Sequence, residues 1–245
     1  HLDPVSGVGG LQLPVGSNFT FNLKPTSCIF GIPIKLHINP WFGPRTKTVV
    51  MMQERSDAVF QNENRIDVWI GIGIGLISMF VLVGVVNNQF VNWDDPTYIL
   101  NNYWIQHLSL NTVWEIFSHM QVNGSYVPLV QLSWAIDYLI WGANPFGFHL
   151  TNLLIHGVVV YFVYHFTLRL QGNRLIAGLA ALIWGIHPIN VEVVAWISAR
   201  KDLLYAVFLL PALISWIHYV NSRESRYYWR CFGLFILAIF SKGVA

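Results

Sequence analysis

Apolar runs alternate with short polar stretches along most of the chain. Five of these runs are read as membrane helices, and they occupy residues 66–86, 146–170, 175–186, 203–220 and 229–240. A helix needs about 20 apolar residues to cross the hydrocarbon core of a bilayer. The pattern therefore predicts an all-α, polytopic membrane bundle of about five spans, in which the third and fifth runs are short.

A further apolar segment, residues 126–141, is shorter and is interrupted by Asp137. Its apolar positions recur at helical spacing, at Leu129, Leu132, Ile136 and Leu139. A short amphipathic helix of this kind lies in the membrane interface more readily than it crosses the bilayer. We therefore expect one interfacial helix beside the spans.

Arginines are concentrated in the loops on one side of the predicted spans. They are Arg55, Arg65, Arg169, Arg174, Arg223, Arg226 and Arg230. Because loops rich in Lys and Arg remain in the cytoplasm, this side is predicted to be cytoplasmic. Residues 87–145 and 188–202 then lie on the far side, where the adjacent pair Arg200 and Lys201 breaks the pattern.

Composition supports a membrane protein and excludes some other classes. Hydrophobic residues make up 54% of the chain and charged residues 11%, whereas a soluble domain has about 25% charged residues. A net charge of +2, with no basic cluster interleaved with aromatic residues, argues against a nucleic-acid partner. Cys28 and Cys231 fit neither a metal site nor a disulfide framework.

The first fifty residues differ from the rest of the chain. They are rich in Pro and Gly and show neither helical nor strand periodicity. We assign residues 1–50 no fold and expect an irregular or non-native leader, with Met51 or Met52 as the natural start. Residues 51–65 are expected to form a cytoplasmic leader, and residues 66–245 a truncated membrane domain.

Asp94 and Asp95 lie just beyond the first apolar run, within Phe-Val-Asn-Trp-Asp-Asp-Pro at residues 90–96. An acidic pair at the end of a membrane helix is costly unless it meets water, a cation or a partner. Such a pair supplies a base that takes a proton from a hydroxyl, or oxygen ligands for a divalent cation. The alternative is a helix cap in the turn before Pro96.

A second polar group lies in the loop of residues 187–202. Its members are His187, Glu192, Trp196, Arg200, Lys201 and Asp202. If residues 189–202 are helical, Glu192, Trp196 and Arg200 form one stripe. The basic pair Arg200 and Lys201 suggests an anionic partner, and phosphate is the natural anion at a membrane surface. The alternative is local pairing of this basic pair with Asp202 or Glu192.

His149, Asn152 and His156 form a polar stripe on the second predicted span. Polar groups within a span generally face the bundle and bond across it. We therefore expect a packing role for these three residues.

Several stretches of the sequence, in order, resemble one known family. They are Phe-Val-Asn-Trp-Asp-Asp at 90–95, Tyr-Val-Pro-Leu-Val-Gln-Leu-Ser at 126–133, the stretch from Asp137 to His156, the stretch from His187 to Asp202, and Ser-Lys at 241–242. Over residues 66–245 the chain resembles the membrane part of the transmembrane and tetratricopeptide-repeat proteins. These are multi-span glycosyltransferases with the GT-C fold, and their animal members are O-mannosyltransferases.

The resemblance implies transfer of a sugar, such as mannose, from a polyprenyl- or dolichyl-phosphate carrier to protein hydroxyls on the non-cytoplasmic side. Asp94 or Asp95 would be the base, and Arg200 with Lys201 would hold the carrier phosphate. The supporting residues would be His187, Glu192, Trp196, Asp202, His149, Asn152 and His156. The expected partners are a lipid-linked sugar donor, an acceptor protein and membrane lipid.

The resemblance implies no definite cofactor and leaves a divalent cation at Asp94 and Asp95 as an open alternative. A bacterial inner membrane is the expected location, or the endoplasmic reticulum membrane if the source is eukaryotic. Helical repeats of the family would follow the membrane part. A different class of function also fits the residues: a non-catalytic membrane scaffold, or a lipid-phosphate transporter, linked to a repeat domain.

Overall fold

A computed structural model describes residues 65–119 and 126–243 of the chain. The leader predicted over residues 1–50 and nearly all of the cytoplasmic segment predicted over 51–65, including Met51 and Met52, lie outside the described residues. Within the described ranges the chain is helical and has no strand. This confirms the predicted all-α class.

The α-helices are numbered in chain order. They are α1 (Arg65–Val81), α2 (Tyr103–Gln106), α3 (Leu110–Ser118), α4 (Pro128–Trp141), α5 (Pro145–Gln171), α6 (Arg174–Ile186), α7 (Ile189–Ala195), α8 (Arg200–Ser222) and α9 (Ser225–Ser241). Short 3₁₀ turns occur at Val83–Asn87 and Ile197–Ala199, and a π-helical turn occurs at Pro96–Leu100.

The ends of the long helix α5 follow from local sequence signals. The Asn144 side chain accepts a hydrogen bond from the Phe146 amide at 3.1 Å, and Pro145 occupies the first helical turn. Gly172 ends the helix with φ +63°, a conformation that favours glycine. Asn173 then caps α6 by accepting from the Leu175 amide at 2.9 Å. The resulting tight turn makes α5 and α6 antiparallel neighbours.

Contacts between the helices define the two ends of the bundle. Near the start of α1, Asp67 is bound by Arg174 at 2.6 Å, while near the other end of α6 the His156 ring contacts the Gly185 carbonyl at 2.9 Å. Helix α8 runs in the same direction as α5, because its first residue, Arg200, bonds to Asn152. We call the end that holds Arg200 the Arg200 end, and the end that holds the Asp67–Arg174 pair the Asp67 end.

By length and composition, two helical segments are able to cross a membrane. They are Pro145–Gln171 and Ile197–Ser222, and a third span exists if Arg174–Ile186 and Ile189–Ala195, bent by 60°, count as one. Helices α1 and α9 have 17 residues each, or about 26 Å at 1.5 Å per residue. Within the described part, the predicted total of about five spans is therefore reduced to two or three by this criterion.

Large apolar side chains cover the outside of the bundle. On α1, Phe80 is 78% exposed and Trp69 is 70% exposed, and on α6 Leu175 is 70% exposed. An apolar exterior of this kind would be unfavourable in water and is typical of a surface that faces lipid. The structure is thus that of a helical membrane bundle.

Helix α4 is present where the interfacial helix was predicted. The side of α4 that packs against the protein is, however, not the predicted apolar stripe. Leu139 of that stripe is 71% exposed, whereas Gln131, Trp134 and Asp137 are buried. Gln131 and Asp137 of α4 thus point into the protein, whereas Ile136 and Leu139 of the predicted stripe are exposed and Leu129 and Leu132 are half-buried. Its depth in a membrane remains a prediction.

Residues 189–202 do not form one continuous helix, so the condition for a stripe of Glu192, Trp196 and Arg200 is not met. Helix α7 ends at Ala195, Trp196 is extended with φ −100° and ψ 115°, and α8 begins at Arg200. The Trp196 carbonyl accepts a hydrogen bond from Asn152 at 3.3 Å, and the Ser198 amide donates to Asp95. These long-range bonds replace the local helical ones, so Glu192, Trp196 and Arg200 do not form one stripe.

Candidate functional site

Asp95 connects the two far-side loops. Its carboxylate is fully buried and accepts from the Ser198 amide at 3.2 Å and the Ser198 hydroxyl at 2.5 Å, both through Oδ1. The other oxygen accepts from the Val91 amide at 2.8 Å. The acidic pair and the Arg200–Lys201 pair therefore lie at the same end of the bundle, because Asp95 contacts Ser198, two residues before Arg200.

Asp94 has a different environment from its neighbour. Its backbone carbonyl accepts from the amides of Thr97 at 3.0 Å and Tyr98 at 2.9 Å, which shapes the turn around Pro96. The side chain is half-buried, and across residues 65–119 and 126–243 no hydrogen bond or ion pair engages its carboxylate. The backbone of Asp94 thus forms the turn before Pro96 that was the alternative to a functional role. Its carboxylate takes no part in this turn.

Arg200 lies inside the bundle and is fully buried. Nε donates to Asn152 Oδ1 at 2.6 Å, Nη2 to the Phe148 carbonyl at 2.9 Å and Nη1 to Ser133 Oγ at 3.3 Å. Nη1 also forms an ion pair with Asp137 at 2.5 Å. The guanidinium therefore holds α8 against α4 and α5. The predicted local pairing of Arg200 with Asp202 or Glu192 is not what the structure has.

Asp137 is the partner that the sequence analysis missed. Besides the ion pair with Arg200, it accepts a hydrogen bond from the Thr151 hydroxyl at 2.8 Å. Burial raises the pKa of the Asp137 carboxyl, although the charge of Arg200 acts in the opposite direction. An ionisable residue within an apolar segment is a signal for such a role, and Asp137 had been treated only as an interruption.

The polar stripe of α5 is buried, and two of its three residues are hydrogen-bonded to neighbouring segments. The side-chain oxygen of Asn152 accepts a hydrogen bond from Arg200, and its amide group donates to the Val194 carbonyl at 3.4 Å. The ring of His156 stacks on Trp184, with 5.7 Å between the ring centroids. His149 is fully buried, and neither of its ring nitrogens has a hydrogen-bond partner among the described residues. Asn152 and His156 thus connect α5 to the loop after α7 and to α6.

The remaining predicted residues are nearer the surface. Glu192 and His187 are exposed, and His187 Nδ1 accepts from the Ile189 amide at 3.2 Å, which caps α7. Lys201 is half-exposed beside Arg200. Asp202 is paired with Lys242, the lysine of the Ser-Lys stretch, which had not been assigned a role in the site.

Metal binding was also considered for the acidic pair. In the portion of the chain that the structure describes, no group of three or more His, Cys, Asp or Glu side chains is arranged to hold a metal ion. Both oxygens of Asp95 are already directed at protein donors.

Curated proteins match about half to two thirds of the chain. The chain is 33% identical over 118 residues to protein O-mannosyl-transferase TMTC2 of Mus musculus, covering 48% of this chain and 14% of that protein. It is 31% identical over 188 residues to protein O-mannosyl-transferase TMTC4 of Homo sapiens, covering 64% and 24%. Over these stretches the chain is similar to proteins of the TMTC family.

A third TMTC relative shows the same relationship. The TMTC-like chain is 29% identical over 159 residues to protein O-mannosyl-transferase Tmtc1 of Drosophila melanogaster, covering 62% of this chain and 18% of that protein. The chain thus spans less than a quarter of the length of these curated relatives. No family model and no solved structure matches it.

Proposed function

We propose that this TMTC-like chain is part of a membrane glycosyltransferase. It transfers a sugar, mannose by analogy with the names of its relatives, from a polyprenyl- or dolichyl-phosphate carrier to protein hydroxyls on the non-cytoplasmic side. One observation supports this most strongly: the Asp95–Ser198 contact brings the Asp94 loop and the Lys201 loop together while the Asp94 carboxylate is left available.

Asp94 is the proposed base. It takes the proton from the acceptor hydroxyl, whose oxygen then bonds to the anomeric carbon of the sugar. The bond between that carbon and the carrier phosphate breaks, and the phosphate leaves on the lipid with the electron pair. No external oxidant or reductant is needed.

Lys201 is the proposed contact for the carrier phosphate, in place of Arg200. The Arg200 guanidinium is fully buried and bonded to four protein groups, so its donors are not directed at a ligand. Lys201 follows it in the chain and is half-exposed. A cation there pairs with the negative charge that the carrier phosphate already has in the bound donor. Arg200 is a positioning residue that fixes the start of α8.

The location fits a donor that is anchored in lipid. The Arg200 end contains the start of both α5 and the Ile197–Ser222 segment, the two helical segments long enough to cross a membrane. The carrier phosphate lies at headgroup depth, where the ends of such helices also lie. Because the relatives are animal proteins, we place the enzyme in the endoplasmic reticulum membrane rather than a bacterial inner membrane.

The test compares Asp94→Asn with Glu115→Gln, a carboxylate-to-amide change in the same far-side stretch. The complete gene product in membranes is incubated with radiolabelled dolichyl-phosphate mannose, and label on polypeptide is counted. Asp94→Asn should lower transfer at least about 100-fold, the usual contribution of a general base, with an unchanged melting temperature. Glu115→Gln should retain transfer.

Two other results would contradict the proposal. Full sugar transfer by the Asp94→Asn variant would show that Asp94 is not the base. Movement of the lipid carrier between leaflets by the unchanged protein, without any covalent label on polypeptide, would favour the transporter alternative instead.

Lys201→Gln tests the phosphate contact separately. It should raise the KM for the lipid-linked donor more than it lowers kcat, since it removes a charge that already meets the phosphate in the bound state. Lys201→Arg, which keeps the charge, should recover most of the donor affinity. Identical saturation curves for Lys201→Gln and the unchanged protein would refute this assignment.

A further inference from the structure

The short helix α3 lies at the Arg200 end of the bundle. Its Phe117 ring meets the Phe240 ring edge to face, with 6.2 Å between the ring centroids. Phe240 is in the last turn of α9, and Lys242, which follows that helix, pairs with Asp202 in the first turn of α8. Helix α3 therefore lies beside the end of α9 that is next to the start of α8.

One side of α3 is held against the protein. The Ser109 hydroxyl accepts a hydrogen bond from the Thr112 amide at 3.2 Å, and the Thr112 hydroxyl accepts from the Ser109 amide at 2.7 Å, which fixes the start of the helix. Thr112 and Ile116, one turn apart, are both buried. The Phe117 carbonyl also accepts from the Tyr126 hydroxyl at 2.8 Å. These contacts fix which sides of α3 remain for the surroundings.

The rest of the α3 surface divides into an apolar side and a polar side. Leu110 is 90% exposed and Trp114 is 74% exposed. Apolar residues recur at i, i+3, i+4 and i+7, and they are Leu110, Val113, Trp114 and Phe117. The polar side consists of Asn111, Glu115 and Ser118. At about 100° per residue, the apolar stripe, the polar side and the buried side occupy three separate sectors around the helix axis.

A helix with one apolar, one polar and one protein-bound side fits the boundary between membrane and water beside the bundle. There the apolar residues enter the boundary between headgroups and acyl chains while the polar side remains in water. Trp is enriched at this depth. The contact of Phe117 with Phe240 also joins the stripe to α9, on which Phe232 and Phe235 are exposed. The lipid that surrounds the bundle is therefore the partner that this surface meets.

We propose that α3 is an interfacial membrane anchor, whose apolar stripe lies in the boundary between headgroups and hydrocarbon and whose polar side faces water. The sequence predicted one interfacial helix, at residues 126–141, and α3 is another. Anchoring at this position keeps the stretch of residues 87–119 close to the membrane surface. The proposal does not depend on the proposed sugar transfer.

The experiment measures how deeply each side of α3 lies in a bilayer. The complete gene product, with its native cysteines replaced by serine, receives one nitroxide label at a time. The labelled variants are Leu110→Cys, Trp114→Cys, Asn111→Cys and Ser118→Cys, all at exposed positions where a substitution should leave the fold intact. After reconstitution in phosphatidylcholine vesicles, electron paramagnetic resonance compares the collisions of each label with oxygen, which concentrates in lipid, and with a water-soluble nickel complex.

The labels at Leu110 and Trp114 should lie about 5–10 Å into the boundary between headgroups and acyl chains and should collide more with oxygen than with nickel. The labels at Asn111 and Ser118 are matched controls on the same helix and should show the opposite preference. Equal nickel accessibility at all four positions would place α3 in water and overturn the proposal. Low accessibility of Leu110 and Trp114 to both probes would also overturn it, because another part of the protein would then cover the stripe.

Discussion

At the scale of single residues, neighbours in the sequence have separate tasks. Asp95 is fully buried and accepts three hydrogen bonds, whereas Asp94 is half-buried. Arg200 and Lys201 divide in the same way, with the arginine inside the bundle and the lysine near its surface. In each pair, one residue is buried and bonded to distant segments of the chain, and the other is partly exposed.

The Asp137–Arg200 pair should dominate the stability of the Arg200 end. Removing one partner of a buried ion pair leaves an uncompensated charge and costs about 3–5 kcal/mol. We expect Arg200→Met to lower the free energy of unfolding by this amount. The double variant Arg200→Met with Asp137→Leu should recover much of the loss, because neither charge then remains buried.

Chemical unfolding in detergent measures both variants against the unchanged chain. Losses that simply add in the double variant would contradict the pairing, since independent residues show additive effects. Arg200→Lys should not recover stability, because an ammonium group cannot supply the several directed donors of the guanidinium.

The sequence singled out one residue of each of these contacts but did not indicate its partner. Asp95 and Arg200 stand out locally, because a charge beside an apolar run is unusual. Their partners do not: Ser198 is 103 residues from Asp95, and Asn152 is 48 residues from Arg200. Such pairings depend on how the helices pack, which apolar periodicity within one segment does not encode.

At the scale of helices, the sequence predicted where helices occur better than it predicted where they are interrupted. The cores of α1, α5, α6, α8 and α9 all fall within predicted apolar runs. The break at Trp196 was missed, because nothing in the local sequence opposes a helix there. Tertiary hydrogen bonds from Asn152 and to Asp95 decide it.

Helices α1 and α5 approach closely at a pair of glycines. A methyl group on Gly75 would lie 2.8 Å from the Gly157 carbonyl oxygen, whereas one on Gly73 would have nothing within 4 Å. Small residues at such crossings let the backbones approach, which is a main source of helix association in membranes. The crossing therefore depends on the absence of a side chain at Gly75.

This contrast gives a matched pair of variants on one helix. Gly75→Ala should destabilise the chain by about 1–3 kcal/mol, the usual cost of overpacking. Gly73→Ala should be neutral or stabilising by up to about 1 kcal/mol, since alanine favours a helix over glycine. Melting temperatures in detergent measure the difference. Equal effects of the two substitutions would show that α1 does not pack on α5 in this way.

At the scale of the whole molecule, each end of the bundle has a distinct set of charges. Asp95, Arg200 and the Asp202–Lys242 pair lie at the Arg200 end. The other end has the Asp67–Arg174 pair and the Arg226–Glu224 pair. The positive-inside rule predicts that the Asp67 end faces the cytoplasm, and the proposed transfer then takes place at the opposite face of the membrane.

Cysteine labelling tests this arrangement directly. Single cysteines are introduced at Gln89, Glu192 and Asn221, which are exposed, in a chain whose Cys28 and Cys231 are replaced by serine. In sealed vesicles of known orientation, an impermeant maleimide should react with the Gln89 and Glu192 positions from the non-cytoplasmic side. The Asn221 position should react only from the cytoplasmic side, because α8 ends there. Labelling of the Gln89 and Glu192 positions from opposite sides would contradict the Asp95–Ser198 contact itself, and with it any site that uses both loops.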